Sequence, residues 1–90
     1  MVRAHVSVTG RVQGVGFRAF TQSQANLNQL TGWVRNLREG GVEAEVEGTR
    51  QAIENFVSTL KQGPPLSDVE SVEVEWMDAC ASEVDFRIRY

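Results

Sequence analysis

The chain contains few of the residues that mark secreted or membrane proteins. Its 90 residues include a single cysteine, Cys80, which excludes an intrachain disulfide, and only two prolines. No apolar run is long enough to cross a bilayer, and the first residues lack the pattern of a signal peptide. With 41% hydrophobic and 23% charged residues, the composition is that of an ordinary globular domain. We therefore expect one cytoplasmic domain over residues 1–90, monomeric and without a membrane partner.

Acidic residues are absent from the first part of the chain. Residues 1–38 contain five arginines and no aspartate or glutamate, whereas residues 39–90 contain four basic and twelve acidic side chains. This asymmetry fits an electropositive end of the fold that attracts a small anion, and equally fits scatter in a short sequence. The net charge of −3 argues against a broad nucleic-acid surface, so no nucleic-acid partner is expected.

Hydrophobic periodicity divides the chain into strands and helices. Alternation of apolar and polar residues predicts five strands, at residues 2–9, 31–37, 42–47, 71–76 and 85–90. Spacings of three and four residues predict two helices. The first covers residues 17–27, and the second begins at Thr49 as its N-cap and ends at Gly63. The residues that recur at helical spacing are Phe17, Phe20, Gln24 and Leu27 in the first helix, and the second carries a helical stripe of Ile53, Phe56, Val57 and Leu60.

The order of these elements predicts a ferredoxin-like α+β sandwich. The pattern is β-α-β-β-α-β with an added C-terminal strand, and right-handed crossovers place two helices on one face of an antiparallel sheet. The first two strands then run parallel with the third between them. Because their C-terminal ends share one edge, Asn36 is expected to approach the loop that follows the first strand.

That loop, GRVQGVGFR at residues 10–18, is the most informative segment. Three glycines in nine residues let the backbone turn sharply and approach a ligand. No Ser, Thr, Asp or Asn within it caps the following helix, so the first helical amides lack an acceptor. Free amides beside Arg18 predict an anion site. The loop lacks the GK[ST] ending of a P-loop, so nucleotide binding is not implied.

Arg18 and Asn36 are the two side chains that favour chemistry. A cation in the first turn of a helix opposes the helix dipole by about 0.3–1 kcal/mol. A bound phosphate would reverse that effect through bidentate pairing, although an exposed arginine tolerated near a helix start fits the same spacing. The Asn36 amide can both donate to and accept from a water molecule. Taken alone it is typical of a turn, and only its approach to the loop favours a functional role.

Other polar and aromatic side chains show no catalytic arrangement. Cys80 has no basic residue near it in sequence, and no grouping of His, Cys and Asp has the spacing of a metal site. We therefore expect no metal. Solvated positions are predicted for His5, Glu43, Glu45 and Glu47, and core positions for Trp33 and Trp76.

Two motifs together resemble the acylphosphatase family. The loop GRVQGVGFR is followed 14 residues later by GWVRN at residues 32–36, and then by GVEA at residues 41–44. The resemblance is clear over residues 6–48 and weaker through residues 63–65. It implies hydrolysis of a small-molecule acyl phosphate to a carboxylate and inorganic phosphate, without a metal or cofactor.

The resemblance also implies roles for individual residues. Catalysis falls to Arg18, which binds the phosphoryl group, and to Asn36, which orients the attacking water. Neither motif contains a residue suited to act as a general base, so the substrate's own phosphate oxygen is expected to accept the proton. Catalysis would then depend on positioning and electrostatic stabilisation. The implied phosphate-binding residues are Gln13, Gly14, Val15, Gly16, Phe17 and Arg18.

One departure from the family pattern lies before the second motif. Acylphosphatases usually read Leu-Gly-Leu where this chain has Asn28-Gln29-Leu30. That glycine ends the first helix in a left-handed conformation, and Asn28 is expected to take its place, because asparagine tolerates that region better than most residues.

Two other classes of function fit the predicted fold. A non-enzymatic anion-binding or regulatory module would bind phosphate without turnover, and Asn36 would be dispensable. RNA binding on a ferredoxin-like sheet requires exposed aromatic residues on the central strands. The third strand presents Glu43, Glu45 and Glu47 instead, which disfavours RNA.

Overall fold

Seven elements follow one another along residues 1–90, which the computed structural model describes in full. They are β1 (Val2–Arg11), α1 (Phe17–Leu27), β2 (Thr31–Asn36), β3 (Val42–Gly48), α2 (Arg50–Gln62), β4 (Asp68–Asp78) and β5 (Phe86–Ile88). The bounds of α1 match the prediction at both ends, and the ferredoxin-like order is confirmed. Neither helix has the length and apolar character that crossing a membrane requires.

The five strands form one mixed sheet in the order β4-β1-β3-β2-β5. Both β1 and β2 pair antiparallel with β3, which lies between them, so they run parallel to each other as predicted. The expectation of an antiparallel sheet is wrong for β5, which pairs parallel with β2. The reason is that β4 and β5 occupy opposite edges, so the chain crosses the sheet between them rather than turning in a hairpin.

The main core fills the space between the helices and one face of the sheet. The predicted stripe of α2 is confirmed, because all four of its residues are buried. The stripe of α1 is different: Phe17, Thr21 and Ala25 are buried, whereas Leu27 is 75% exposed. Thr21 tolerates burial because its hydroxyl donates to the Phe17 carbonyl at 2.8 Å. The small side chains of Thr21 and Ala25 are buried, and the spacing of the large apolar residues alone does not reveal this.

The C-terminal end of α1 is a Schellman motif centred on Gln29. The N–H of Leu30 donates to the Ala25 carbonyl at 2.9 Å, and the N–H of Gln29 donates to the Asn26 carbonyl at 3.1 Å. This pair of bonds defines the motif and requires a left-handed residue after the C-cap. Gln29 takes that conformation, with φ 57°, whereas Asn28 stays at φ −96°. The expectation that Asn28 would be left-handed is therefore wrong by one position.

Glycine at position 29 is expected to stabilise the protein. A side chain in the left-handed region costs about 1–2 kcal/mol, and the greater freedom of glycine in the unfolded chain offsets part of the gain. We expect Gln29→Gly to raise the free energy of unfolding by about 1 kcal/mol, and Tm by about 4–8 °C. Thermal unfolding followed by circular dichroism measures the change.

Asn28→Gly is the matched control for this prediction. Asn28 has an ordinary φ, and its Nδ2 donates to the Gln24 carbonyl at 2.8 Å, so glycine there should lower Tm. A lower Tm for Gln29→Gly, or equal shifts for both variants, would contradict the assignment of the strained position to Gln29.

The second face of the sheet is not the solvated surface that its glutamates predict. Arg3 is only 3% exposed. Its Nε donates to Glu45 at 2.8 Å, and its Nη1 donates to Glu47 at 3.3 Å and to Glu83 at 2.8 Å. Glu83 belongs to the connection of residues 79–85 between β4 and β5, which closes over Arg3. Alternation reveals that these side chains share a face, but not that a distant loop covers it.

His5 is also paired rather than solvated. Its Nε2 lies 3.0 Å from Glu43 Oε2, and Glu43 pairs with Arg35 as well. Burial alone would raise the pKa of the Glu43 carboxyl, but hydrogen bonds from His5 and Arg35 outweigh burial and hold that pKa below its ordinary value. The expectation for His5 is wrong because its carboxylate partner lies on the neighbouring strand β3, far away in sequence.

The two tryptophans occupy different environments. Trp33 is buried as predicted, but on the second face of the sheet, where the guanidinium carbons of Arg35 and Arg89 lie 5.4 and 4.6 Å from its ring centroid. Trp76 is 37% exposed, so its predicted core position is wrong. It lies on the edge strand β4, and Arg50 covers its ring at 4.1 Å.

The Glu47 carboxylate anchors the connection of residues 79–85. It accepts hydrogen bonds from the backbone N–H groups of Cys80 and Ala81, each at 2.9 Å. The Cys80 amide first, and then the Ala81 amide and Arg3, hold the pKa of Glu47 below its ordinary value of 4.5 despite burial. Because the unfolded chain then binds more protons, this stabilisation is complete above the ordinary pKa and is lost as the pH falls through the lowered one.

Glu47→Gln is therefore expected to weaken the fold and to flatten its acid response. The neutral amide cannot satisfy two N–H donors and Arg3 equally well, so we expect a loss of about 1–3 kcal/mol at pH 7. Urea unfolding at pH 7 and pH 4 should show a smaller acid loss than in the unsubstituted protein. Glu75→Gln is the control, since Glu75 is exposed and outside every ion pair. An unchanged acid loss in Glu47→Gln would refute the assignment.

Candidate active site

The loop between β1 and α1 is held in place by its apolar residues. Val12 and Phe17 are each 1% exposed in the core, and Val15 packs partly against it. Between them Gly14 and Gly16 face solvent with φ of 74° and 78°. An added Cβ at either glycine would meet no atom within 4 Å. The left-handed backbone, rather than a lack of space, is what requires glycine here.

The backbone amides of this loop are free of protein partners. None of the N–H groups of residues 13–19 donates to a backbone carbonyl. As predicted, α1 begins after Gly16 with no side-chain cap and no acidic residue in its first turn. Such amides, reinforced by the positive end of the helix dipole, form a donor surface suited to an anion.

Arg18 lines a cavity of about 180 Å³, which residues 14, 16, 17 and 19 of the loop and the helix start also line. Its Cζ lies 4.7 Å from the centroid of the Tyr90 ring, and its Nη1 makes a long hydrogen bond of 3.4 Å to the Arg89 carbonyl. No carboxylate pairs with Arg18, so its charge is not neutralised within the protein. The cavity is lined by Val12, Gly14, Gly16, Phe17, Arg18, Ala19, Ile88 and Tyr90.

Asn36 ends β2 at the same edge of the sheet as the loop. It lies opposite Val42 of β3, which in turn lies opposite Val8 near the end of β1. Its Oδ1 is buried and accepts no hydrogen bond. An unpaired buried acceptor costs about 1–3 kcal/mol, so a donor bound there gains more than it would in water. Asn36 is not among the residues that line the Arg18 cavity.

The Gln13 side chain points away from the cavity and toward the hairpin between β2 and β3. Its Nε2 donates to the carbonyls of Leu37 and Gly41, each at 2.7 Å. Gln13 and Val15 do not line the cavity, unlike the other predicted phosphate-binding residues Gly14, Gly16, Phe17 and Arg18.

Sequence reasoning missed the contribution of the C-terminal strand. Ile88 and Tyr90 line the cavity because β5 pairs with β2 and continues toward Asn36. Alternation of Phe86, Ile88 and Tyr90 indicated a shared face, but no local signal indicated the strand beside which they lie.

Comparisons of the sequence and of the fold with known proteins identify the same family over nearly the whole chain. The family model described as Acylphosphatase matches residues 4–88. An acylphosphatase from Chloroflexus aurantiacus is 50% identical over 88 residues, which cover 98% of this chain and 96% of that protein. The crystal structure of acylphosphatase from Bacillus subtilis matches with a TM-score of 0.96 and 40% identity, over 100% of both chains.

The same fold also occurs within a larger protein. A full-length HypF, solved in a phosphate- and nucleotide-bound form, matches with a TM-score of 0.87 and 32% identity over 99% of this chain but only 12% of its own. The relatives that match end to end are acylphosphatases, and both the sequence and the fold agree with them. The chain therefore belongs to the acylphosphatase family, and its reaction is the hydrolysis of acyl phosphates.

Proposed function

We propose that the loop of residues 13–18 binds the phosphoryl group of the substrate, with Arg18 as its main cation, and that Asn36 orients the attacking water. The observation that carries the proposal is the row of uncapped amides beside an arginine without a carboxylate partner. Amide donors fit phosphate oxygens individually, and a guanidinium pairs with two at once. A small-molecule acyl phosphate is the substrate class.

Arg18 and the amides act by stabilising charge. Phosphoryl transfer passes through a loose transition state in which negative charge spreads over three equatorial oxygens. Donors already aimed at those oxygens need no reorganisation during the reaction. In this scheme the charge that neutralises the phosphoryl group comes from Arg18 and the backbone.

Asn36 acts on the nucleophile. Its buried Oδ1 accepts a hydrogen bond from the water, which fixes a lone pair of that water toward phosphorus. The water oxygen forms a bond to phosphorus while the bond from phosphorus to the acyl oxygen breaks. A proton passes from the water to a phosphate oxygen, giving inorganic phosphate. The leaving carboxylate is a weak base, so its departure needs no general acid.

Hydrolysis of benzoyl phosphate in ¹⁸O-labelled water tests this scheme. We expect one ¹⁸O atom in each inorganic phosphate and none in benzoate, because the water attacks phosphorus. The uncatalysed reaction at the same pH is run in parallel as the control. Label in benzoate would mean attack at the carbonyl carbon and would overturn the proposed role of Asn36.

A non-enzymatic anion-binding module is not favoured by any feature of the fold or by the relatives. Turnover of benzoyl phosphate separates the two functions directly, because such a module would bind phosphate without consuming the substrate.

We also propose that residues 1–90 act as a monomeric single domain in the cytoplasm. Three of the exposed apolar side chains, Leu27, Leu66 and Val84, belong to different parts of the fold, and the less exposed Trp76 and Met77 are consecutive on β4 and so point to opposite faces of the sheet. Cys80 is a free, exposed thiol suited to a reducing compartment. Sedimentation equilibrium tests the oligomeric state, and a dimer mass would refute it.

A further inference from the structure

We propose that Gln13 is a positioning residue, whose side chain sets the separation between the phosphoryl-binding loop and Asn36. This inference rests on the roles proposed above for the loop and Asn36. The amide nitrogen of Gln13 carries two hydrogens. Each is used on the hairpin that follows Asn36, one on the Leu37 carbonyl and one on the Gly41 carbonyl, both at 2.7 Å.

These two carbonyls are the ones that close the hairpin. The N–H of Leu37 donates to the Gly41 carbonyl at 3.0 Å, and the N–H of Gly40 donates to the Leu37 carbonyl at 3.2 Å. Gln13 adds a second donor to each of these carbonyls. The Leu37 carbonyl is held by Gln13 directly, and the Leu37 N–H is held by the Gly41 carbonyl that Gln13 also binds. Asn36 immediately precedes Leu37, and its backbone is therefore held relative to Gln13.

No other hydrogen bond joins residues 12–16 to residues 37–41. The sheet does not supply this link directly, because β3 separates β1 from β2. Without Gln13 the loop and the hairpin would be linked only through the pairing of β1 and β2 with β3 and through the packing of the core. A misplacement of about 1 Å between reacting groups costs about 100-fold in rate. Because the Gln13 side chain is largely exposed, its removal is expected to affect the reaction far more than the folded core.

The variant Gln13→Met tests the inference, since methionine has nearly the same length and no donors. We expect kcat for benzoyl phosphate to fall by about 10- to 100-fold, while the inhibition constant of inorganic phosphate changes by less than about threefold. Gln22→Met is the matched control. Gln22 donates to the Phe86 carbonyl at 3.1 Å, far from the hairpin, so its loss should leave kcat unchanged.

The double variant with Asn36→Ala shows whether Gln13 acts through Asn36. We expect Gln13→Met to lower kcat no further once Asn36 is gone, because the two changes remove one shared contribution. Multiplicative losses would overturn the inference. If Asn36→Ala lowers kcat and Gln13→Met does not, the tether alone is refuted. If Asn36→Ala keeps full kcat, the proposed role of Asn36 falls, and this inference falls with it.

Gln13→Glu gives a second, independent variant. It keeps the size of the side chain but turns acceptor oxygens toward two carbonyls, so we expect a loss of kcat at least as large as in Gln13→Met. Wild-type kcat in Gln13→Glu would overturn the proposal.

Discussion

Replacing Arg18 with alanine is expected to lower kcat/KM for benzoyl phosphate by about 10³-fold or more, in line with the contribution of arginines to other phosphoryl transfers. The loss should appear in binding as well as in turnover, because no second cation lines the cavity. Competitive inhibition by inorganic phosphate should disappear over the range in which it acts on the unsubstituted enzyme. Steady-state kinetics with and without phosphate measures both effects.

Stability measurements separate this effect from damage to the fold. A cation in the first turn of α1 opposes the helix dipole by about 0.3–1 kcal/mol, so Arg18→Ala should fold at least as well as the parent in the absence of phosphate. Phosphate should raise Tm of the parent but not of the variant. Arg11→Ala removes an exposed arginine at the end of β1, directly before the loop, and should change neither property. Activity within tenfold of the parent in Arg18→Ala would sink the proposed mechanism.

Replacing Asn36 with alanine is expected to lower kcat by about 10²- to 10³-fold while the inhibition constant of phosphate stays nearly constant. The contrast with Arg18 follows from the division of the site. Arg18 is proposed to contact the phosphoryl group, which is bound throughout the reaction, whereas Asn36 is proposed to contact only the water. Since Oδ1 of Asn36 is buried without a partner, its removal should not destabilise the protein, and a gain of about 1 kcal/mol is expected.

Asn36→Asp sharpens this prediction. Aspartate keeps an acceptor for the water but adds a negative charge close to the phosphoryl site, so both kcat and phosphate binding should suffer. Asn55→Ala on the exposed surface of α2 is the matched control, and its kinetics should equal those of the parent. A fall in phosphate affinity as large as the fall in kcat in Asn36→Ala would assign Asn36 to binding instead.

The elements whose signals are local were predictable from sequence. Thr49 caps α2 as predicted, because its hydroxyl accepts the Ala52 amide at 3.2 Å within the same turn. The start of α1 was predictable from glycines and absent caps around Gly16. The end of α1 matched the prediction, but the left-handed residue after it is Gln29 rather than Asn28, because its place in a Schellman motif depends on where the following Leu30 is buried.

Features that depend on distant pairing were not predictable. The partners of Arg3 include Glu83, and that of His5 is Glu43, so neither pair leaves a periodic signal. The contribution of Tyr90 to the cavity was likewise not predictable, because it depends on the parallel pairing of β5 with β2. Topology did bring Asn36 to the edge of the loop, since strand order follows from right-handed crossovers. The Gln13 tether depends on side-chain reach, which strand order leaves open.

The anchoring of the loop by Val12, Val15 and Phe17 has a thermodynamic consequence for the whole molecule. Val12 and Phe17 belong to the core and Val15 packs against it, so the proposed anion site and the core form and disappear in one cooperative transition. Every substitution that loosens the sheet also reduces the population of molecules able to bind the substrate. Conversely, each mole of bound phosphate adds its binding free energy to the unfolding free energy of the entire chain. The apparent affinity for phosphate and the free energy of unfolding are therefore thermodynamically linked.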